Sequence, residues 1–328
     1  MKKMFVVSFL LAVVVLFYIN YRTPFVLNIG GPWSVGYGFS NAIPNELNVS
    51  KQNIYSPEKL EALSPGTEFL ADSFFLHEKD TFYLFFEHKY KNNGKATIAL
   101  LTSTDGSQYT YKGDVLQEDF HLSYPQVYKH KGEYYMVPES KQANNILLYK
   151  AKKFPYQWEL FYTLVKNVKL KDPTLYLSDT LNLLVASDDH LAMYLYESDH
   201  LTGQWKRRQN PILQGSEARP GGRIFARNGK LNLPVQNCSH GYGSSLSIYE
   251  FEFKNNTIGL KKVQADFLKA QADISEFGFG MHTFDIQKVG DRYYYVYDGN
   301  RIKNNQKKLA IPYALKLSFY DLKNYLNL

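Results

Sequence analysis

The sequence predicts an all-β fold, a five-bladed β-propeller preceded by an N-terminal hydrophobic anchor helix. Three observations support this prediction. An apolar run occupies the first twenty residues, segments with a hairpin pattern recur five times in the rest of the chain, and no segment beyond the N-terminus has a long helical period.

The composition limits the class of protein. The chain has 328 residues, 45% of them hydrophobic, and a single Cys, so disorder and a disulfide framework are excluded and an apolar core must supply the stability. The chain has 38 Lys and Arg against 31 Asp and Glu, and this excess of positive charge is not concentrated in one segment. We therefore expect no nucleic-acid partner. The spacing of Cys and His predicts no metal site and no cofactor.

The N-terminal segment 1–22 has the pattern of a signal anchor. Lys2 and Lys3 precede an almost unbroken apolar run from Met4 to Ile19. The run ends in bulky residues instead of the small residues of a cleavage site, so we expect an uncleaved, single-pass membrane helix. By the positive-inside rule, the C-terminal body then lies outside the cytoplasm. The alternative is a signal peptide whose cleavage gives a secreted protein.

Five segments repeat at a spacing of about 50 residues, the size of one propeller blade. Each consists of two short runs rich in Tyr, Phe, Val and Leu around a central turn, which is the pattern of an antiparallel hairpin. The segments are 72–87, 124–139, 172–187, 221–236 and 282–298.

The domain boundaries follow from this repeat. The propeller is assigned to residues 67–300, and residues 23–66 form a lead-in. Within the lead-in, the segment 31–38 is expected to supply a strand that pairs with the last blade and closes the ring. Residues 301–328 are left as a C-terminal tail.

The ends of the hairpins predict where a site lies. Both ends of a hairpin lie on one side of a blade, so the five pairs of ends should meet at one mouth of the central channel. These ends and their neighbours carry the carboxylates, hydrogen-bonding groups and aromatic rings that a carbohydrate site needs. The set is Trp33, Asp72, Glu87, Tyr124, Glu139, Asp172, Glu217, Arg219, Gln236, Tyr242, His282 and Asp298. The alternative is that these residues are polar only because they border a water-filled channel.

Motifs at the same positions resemble a known family. They include Leu70-Ala-Asp72, His121-Leu-Ser-Tyr-Pro125, Val137-Pro-Glu-Ser140, Asp172-Pro173, Ala218-Arg-Pro-Gly-Gly222 and Gly280-Met-His-Thr283. Together they look like the N-terminal domain of plant glucosamine inositolphosphorylceramide transferase and its bacterial relatives. That domain in turn resembles the five-bladed propeller glycosidases of the arabinanase, β-xylosidase and invertase superfamily. The plant enzyme's glycosyltransferase domain has no counterpart in this sequence.

The resemblance implies roles for the acids. Asp72 would be the base or nucleophile, and Asp172 would position it and tune its proton affinity. The general acid is left open between Glu217, which has the expected order in the chain, and Glu139, which lies in the better-defined motif. Ser73 stands where the superfamily usually has Pro, which is a departure at the base.

Two functions from different classes remain open. The first is a membrane-anchored glycosidase or transglycosidase that uses these acids on an extracytoplasmic glycan or glycolipid. The second is a non-catalytic glycan-binding propeller that assists a separate glycosyltransferase. The sequence leaves open the sugar, the linkage and the choice between retention and inversion.

Overall fold

The predicted fold is confirmed in a computed structural model, which describes residues 2–47, 49–208, 210–255 and 257–326, without the side chains at 304 and 305. Within this part of the chain, the strands form five antiparallel sheets of four or five strands each. The sheets are the blades of a propeller around a central channel.

The chain begins with the apolar helix α1 (Lys2–Arg22), none of whose residues is buried. In the described part of the chain, α1 is the one helix long and apolar enough to cross a membrane, and its mean hydropathy reaches 2.3. A signal sequence near an N-terminus has the same character. The following segment contains β1 (Val26–Ser40), β2 (Ile54–Tyr55) and the short helix α2 (Pro57–Glu61).

The first three blades follow each other along the chain, each with its innermost strand first. Blade one consists of β3 (Thr67–Glu78), β4 (Thr81–Tyr90), β5 (Ala96–Ser103) and β6 (Thr110–Leu116). Blade two consists of β7 (Ser123–His130), β8 (Glu133–Glu139), β9 (Asn145–Lys153) and β10 (Gln157–Lys166). Blade three consists of β11 (Lys171–Leu177), β12 (Asn182–Ser187) and β13 (Ala192–Glu197), which pairs with both β14 (Lys206–Arg207) and β15 (Leu213–Gln214).

Blades four and five complete the ring. In blade four, β16 (Arg219–Pro220) and β17 (Phe225–Arg227) both pair with β18 (Lys230–Asn237), which β19 (Ser245–Lys254) and β20 (Thr257–Lys269) follow. Blade five has β21 (Phe284–Val289) and β22 (Arg292–Leu309) inside and the early strands β1 and β2 outside. Short 3-10 helices lie at Lys141–Ala143 and Ser275–Phe277.

The N-terminal segment closes the ring. Strand β1 pairs antiparallel with β22, with Trp33 opposite Asn300, Val35 opposite Asp298 and Phe39 opposite Tyr294. The chain therefore closes the circle with strands from both of its ends. Beyond residue 300, the segment taken from the sequence as a tail first continues β22 and then forms the helix α3 (Ile311–Leu326).

A buried ion pair joins the blades at the centre of the channel. The Arg223 guanidinium of blade four donates two hydrogen bonds to Asp285 of blade five, at 2.7 and 3.1 Å. It also donates to the backbone oxygens of Phe75 in blade one, at 3.3 Å, and Val127 in blade two, at 2.8 Å. Asp285 in turn accepts the backbone N–H of Phe75 at 3.0 Å. Four of the five blades therefore share one ion pair.

We predict that Asp285→Ala destabilises the fold strongly, because it leaves the Arg223 charge buried without its partner. Removing one member of a buried pair typically costs about 3–5 kcal/mol. The surface pair of Glu252 and Lys254 offers a control, since Glu252→Ala should destabilise the fold much less. Urea unfolding of both variants in detergent measures the two free energies. Equal losses would contradict the central role of the pair.

Candidate functional site

One mouth of the channel opens into a small, highly charged cavity of about 210 Å³. Seven of the residues singled out in the sequence line it, together with four that were not. The lining consists of Trp33, Phe69, Ala71, Asp72, Glu87, His121, Ser123, Glu139, Arg219, Tyr242 and His282.

A repeated backbone irregularity forms the floor of the mouth. Asp72, Tyr124 and Asp172 hold corresponding positions in the innermost strands of blades one to three, and all three have left-handed φ angles of 49–52°. At each of them the pairing with the next strand skips residues, which is a β-bulge. Non-glycine residues adopt this conformation at a cost, and such strain is concentrated at functional sites. The bulges change the direction of the side chains where the strands reach the mouth.

Asp172 is held as a carboxylate by two donors. The Arg219 guanidinium binds it through Nε and through Nη2, the latter at 3.0 Å from Oδ1, and Gln236 donates to Oδ2 at 2.9 Å. Burial alone would raise the pKa of Asp172, but the Arg219 charge and its hydrogen bonds hold that pKa below its ordinary value. Asp172 therefore serves as the fixed negative partner of Arg219.

His282 connects the aromatic and the acidic sides of the mouth. Its ring stacks on Trp33 with centroids 3.9 Å apart, its Nδ1 lies 2.7 Å from Asp298 Oδ1, and its Nε2 lies 2.9 Å from the Tyr242 hydroxyl. Burial works against the imidazolium, yet the Asp298 and Asp72 carboxylates raise the pKa of His282 above its ordinary value. Asp298 lies under the mouth and orients the ring.

Asp72 lies beside His282. Its Oδ1 accepts the Thr283 hydroxyl at 2.9 Å and lies 3.6 Å from His282 Nε2. Its backbone N–H donates to Asp298 at 2.8 Å. Burial raises the pKa of Asp72 to about 6, with His282 opposing the rise and Asp172 adding to it.

Glu139 and Glu87 lie across the mouth, and their pKa values are raised more than that of Asp72. Burial, reinforced by the Asp172 charge, raises the pKa of Glu139 to about 8 even though Arg219 opposes it from 3.8 Å. Glu139 Oε2 is buried and has no hydrogen-bond partner in the described chain. Burial also raises the pKa of Glu87 well above its ordinary value, with Asp72 and Glu139 contributing.

His121 was missed as a site residue, although it stands in one of the motifs noted in the sequence. Its Nδ1 accepts the backbone N–H of Ala96 at 3.2 Å, so its neutral form carries the proton on Nε2. That nitrogen lies 3.3 Å from Glu87 Oε1. The signal that could have found it is its position just ahead of the second hairpin, since both ends of each hairpin reach the mouth.

The structure separates Glu217 from this group. Its carboxylate accepts hydrogen bonds from Ser247 at 2.6 Å and Tyr249 at 2.8 Å and pairs with Lys262, all on blade four. It lines a different cavity, between that blade and α3. The geometry therefore does not support Glu217 as the general acid, because it lies outside the mouth that holds Asp72.

Tyr124 also differs from its expected role. The ring is fully buried, packs edge-on against Phe74 with centroids 4.7 Å apart, and its hydroxyl lies 2.8 Å from Thr174 Oγ1. It supports the floor and offers no face to a sugar. Gln236 is fully buried as well and acts through Asp172. Of the aromatic residues at the mouth, Tyr242 is the exposed one, and it covers the Arg219 guanidinium at 4.9 Å.

One group in the described chain gathers donor atoms closely enough for a metal ion. One oxygen or nitrogen each from Asp72, His282 and Asp298 lies within 4.8 Å of the others. Within this group, Asp298 Oδ1 accepts the backbone N–H of His282 at 3.2 Å and lies 2.7 Å from His282 Nδ1.

Comparison with known proteins relates most of the propeller to one family. The profile of the family described as glucosamine inositolphosphorylceramide transferase 1, N-terminal, matches residues 49–300. Glucosamine inositolphosphorylceramide transferase 1 of Arabidopsis thaliana is 31% identical over 316 residues, 87% of this chain and 41% of that protein. The protein of the same name from Oryza sativa subsp. japonica is 36% identical over 198 residues, 57% of this chain and 26% of that protein. The chain thus spans less than half the length of these relatives.

Solved structures share the fold at low sequence identity. The catalytic domain of an α-L-arabinofuranosidase from Coprinopsis cinerea aligns with a TM-score of 0.56 at 10% identity, over 80% of this chain and 97% of that one. An exo-1,5-α-L-arabinanase from a bovine ruminal metagenomic library aligns with a TM-score of 0.50 at 17% identity, over 71% and 88%. At these identities the likeness shows the propeller fold alone.

We predict that Glu139 makes the fold less stable as the pH rises. The folded chain holds this proton up to about pH 8, whereas an unfolded Glu releases it near 4.5. Between these values the folded state binds more protons, so the free energy of unfolding falls with pH. In Glu139→Gln this fall should be smaller than in the unaltered chain, and in the exposed control Glu133→Gln it should be unchanged. Urea unfolding from pH 4.5 to 8 measures it, and identical curves for all three proteins would contradict the buried acid.

Proposed function

The chain belongs to the family of the glucosamine inositolphosphorylceramide transferase 1 N-terminal region, as its motifs predict, and from this we propose that it is a carbohydrate-active, glycosidase-like protein. One observation carries the proposal. Glu139, with a pKa of about 8, and Asp72, with a pKa of about 6, line the same cavity. Between these two values the first is protonated and the second ionised, as a general acid and a base or nucleophile must be.

The proposed reaction is the hydrolysis or transfer of a glycosyl unit. Glu139 gives its proton to the glycosidic oxygen as the bond to the anomeric carbon breaks. Asp72 either attacks that carbon or takes the proton of the water or hydroxyl that attacks it. In the first case a water or hydroxyl group later attacks the same carbon and breaks its bond to Asp72, and Glu139 takes the proton of that group. This route returns both carboxyl groups to their starting states. In the second case Asp72 releases the proton it has gained to solvent, and Glu139 takes one from solvent before the next cycle.

The other residues of the mouth would bind and orient the sugar. Tyr242 offers an exposed ring beside Trp33, with centroids 6.1 Å apart. Glu87 and His121 present a donor and an acceptor for hydroxyl groups on the opposite side. Arg219, held by Asp172, keeps positive charge near Glu139 and limits the rise of its pKa. Each is proposed as a binding or positioning residue.

We infer the substrate class from the relatives and from the N-terminal helix. The names of the relatives refer to a sugar, glucosamine, and to a lipid with an inositol-bearing headgroup. The helix α1 fits a single-pass anchor or a signal sequence, and both place the propeller outside the cytoplasm. The proposed substrate is therefore an extracytoplasmic glycan or glycolipid.

A second function has its own supporting observation. The chain matches 26–41% of the length of relatives that are named as transferases. A propeller of this kind could hold a glycan for a separate glycosyltransferase without reacting with it. The two functions differ in turnover, which the substitution below measures.

Asp72→Asn should leave the fold intact and lower turnover by about 100-fold or more, the scale of a lost acid or base. The substitution keeps the side-chain shape and removes the charge beside His282. The measurement is turnover of a panel of aryl furanosides and pyranosides. Asp80→Asn, in the exposed turn at the opposite end of the same hairpin, is the matched control.

The same pair of variants separates the two functions. A binding propeller would show no turnover in any form, and Asp72→Asn would weaken glycan affinity by about tenfold, the equivalent of ~1.4 kcal/mol. Glycan-array binding or calorimetry reports this loss. A folded Asp72→Asn variant with unchanged turnover and unchanged affinity would reject both functions for this mouth.

The anchor gives a separate prediction. If α1 spans the membrane, the full chain stays in the membrane fraction after a carbonate wash and keeps its own N-terminus. The double substitution Leu11→Arg and Val14→Arg should abolish this retention, since each charge at the centre of a span costs about 2.5–3.5 kcal/mol. Fractionation with N-terminal sequencing provides the measurement. A soluble product that begins near residue 23 would show a cleaved signal peptide instead.

A further inference from the structure

The helix α3 has an apolar stripe that is largely exposed in the described part of the chain. Leu315, Phe319, Leu322 and Leu326 recur at helical spacing on one face, and each is 42–59% exposed. Lys323 lies at the border of this stripe. The arrangement is that of an amphipathic helix with a long cationic side chain beside its apolar face.

The opposite face of α3 is firmly attached to the propeller. Leu317 is fully buried. The Asp321 carboxylate accepts the N–H and the hydroxyl of Ser216 at 2.6 and 2.9 Å, and the Tyr313 hydroxyl donates to the Cys238 carbonyl at 2.8 Å. The helix is therefore fixed in rotation, so its outward stripe is a permanent feature of the surface.

These attachments place α3 on the same side of the propeller as the mouth. Arg219 and Tyr242 line the mouth cavity. Ser216 lies three residues before Arg219, and Cys238 lies four residues before Tyr242. The helix α3 is therefore attached next to the segments that carry Arg219 and Tyr242 to the mouth.

The end of α1 lies against α3. Tyr18 and Arg22 of α1 and Leu322 and Tyr325 of α3 line a common cavity of about 710 Å³. The exposed apolar surface of α1 therefore continues onto the stripe of α3. Nearby, Lys307 and Lys308 at the exposed end of β22 add positive charge, which complements anionic lipid headgroups.

We propose that α3 lies in the interface of a lipid bilayer, with its stripe in contact with the acyl chains, and that it turns the mouth of the propeller toward the membrane surface. Continuity with α1 and the flanking Lys residues identify the bilayer as the partner. The mouth then receives glycans carried by the membrane in which the protein sits. This docking is independent of catalysis and holds also for a propeller that only binds glycan.

The depth of a nitroxide on α3 tests the proposal. The full chain with Phe319→Cys is labelled and reconstituted into vesicles of phosphatidylcholine and phosphatidylglycerol, and power saturation compares relaxation by oxygen and by a water-soluble nickel chelate. Native Cys238 is buried and stays unlabelled in the folded chain, which the unsubstituted protein verifies. Lys153→Cys is the control, because it lies at the end of β9 opposite the mouth and is exposed.

We expect oxygen to relax the label at 319 more effectively than the chelate does, with the reverse order at 153. Leu315→Cys should repeat the result of 319 on the same stripe. Equal access of the chelate at 319 and 153 would overturn the proposal, because the stripe would then lie in water. Exclusion of both reagents at 319 would also overturn it, since a protein surface, such as a second copy, would then cover the stripe. Retention on vesicles is not the readout, because α1 alone would provide it.

Discussion

The fold depends on satisfying the inner edges of the blades. Each innermost strand has one edge that faces the channel, where its backbone groups have no neighbouring strand to pair with, and burying them unpaired would be costly. Polar side chains from neighbouring blades form hydrogen bonds with these backbone groups. Arg223 and Asp285 serve the backbone of Phe75, and Gln126 of blade two bonds the N–H and the carbonyl of Leu175 in blade three at 2.7 and 2.9 Å. A few polar residues thus connect five sheets that otherwise touch through apolar side chains.

The mouth is also built from buried charged side chains, but there the carboxylates outnumber the cations. At the centre, one cation meets one carboxylate and every oxygen has a donor. At the mouth, Glu139 and Asp72 share the Arg219 charge with Asp172, which holds the guanidinium most closely. The remaining acids are buried without sufficient positive charge, and their pKa values rise. The pKa of Asp172 is lowered while those of the other acids are raised, so these groups differ in protonation at the same pH.

The sequence was sufficient for the fold and for many of the residues that line the mouth. The repeat of about 50 residues depends on hairpins, whose pattern is local, and the rule that hairpin ends share one side brought Asp72, Glu87, Glu139 and His282 together. The same rule failed for Glu217, which lies ahead of the fourth hairpin. Its side chain bonds to the outer strands of blade four instead of reaching the mouth. The rule also could not foresee that Tyr124 is buried, because its contacts with Phe74 and Thr174 come from two other blades, about 50 residues away in the sequence.

The cost of the mouth is the strongest argument that it has a function. A channel that only needed a polar end could place Ser or Asn at the hairpin ends, with no penalty from repulsion or desolvation. This chain instead buries several carboxylates at short range and accepts left-handed backbone at Asp72 and Asp172. Both features lower stability, and such features persist where activity requires them. The pair at Arg223 and Asp285 lies at the channel centre, where it can offset this cost by holding the blades together.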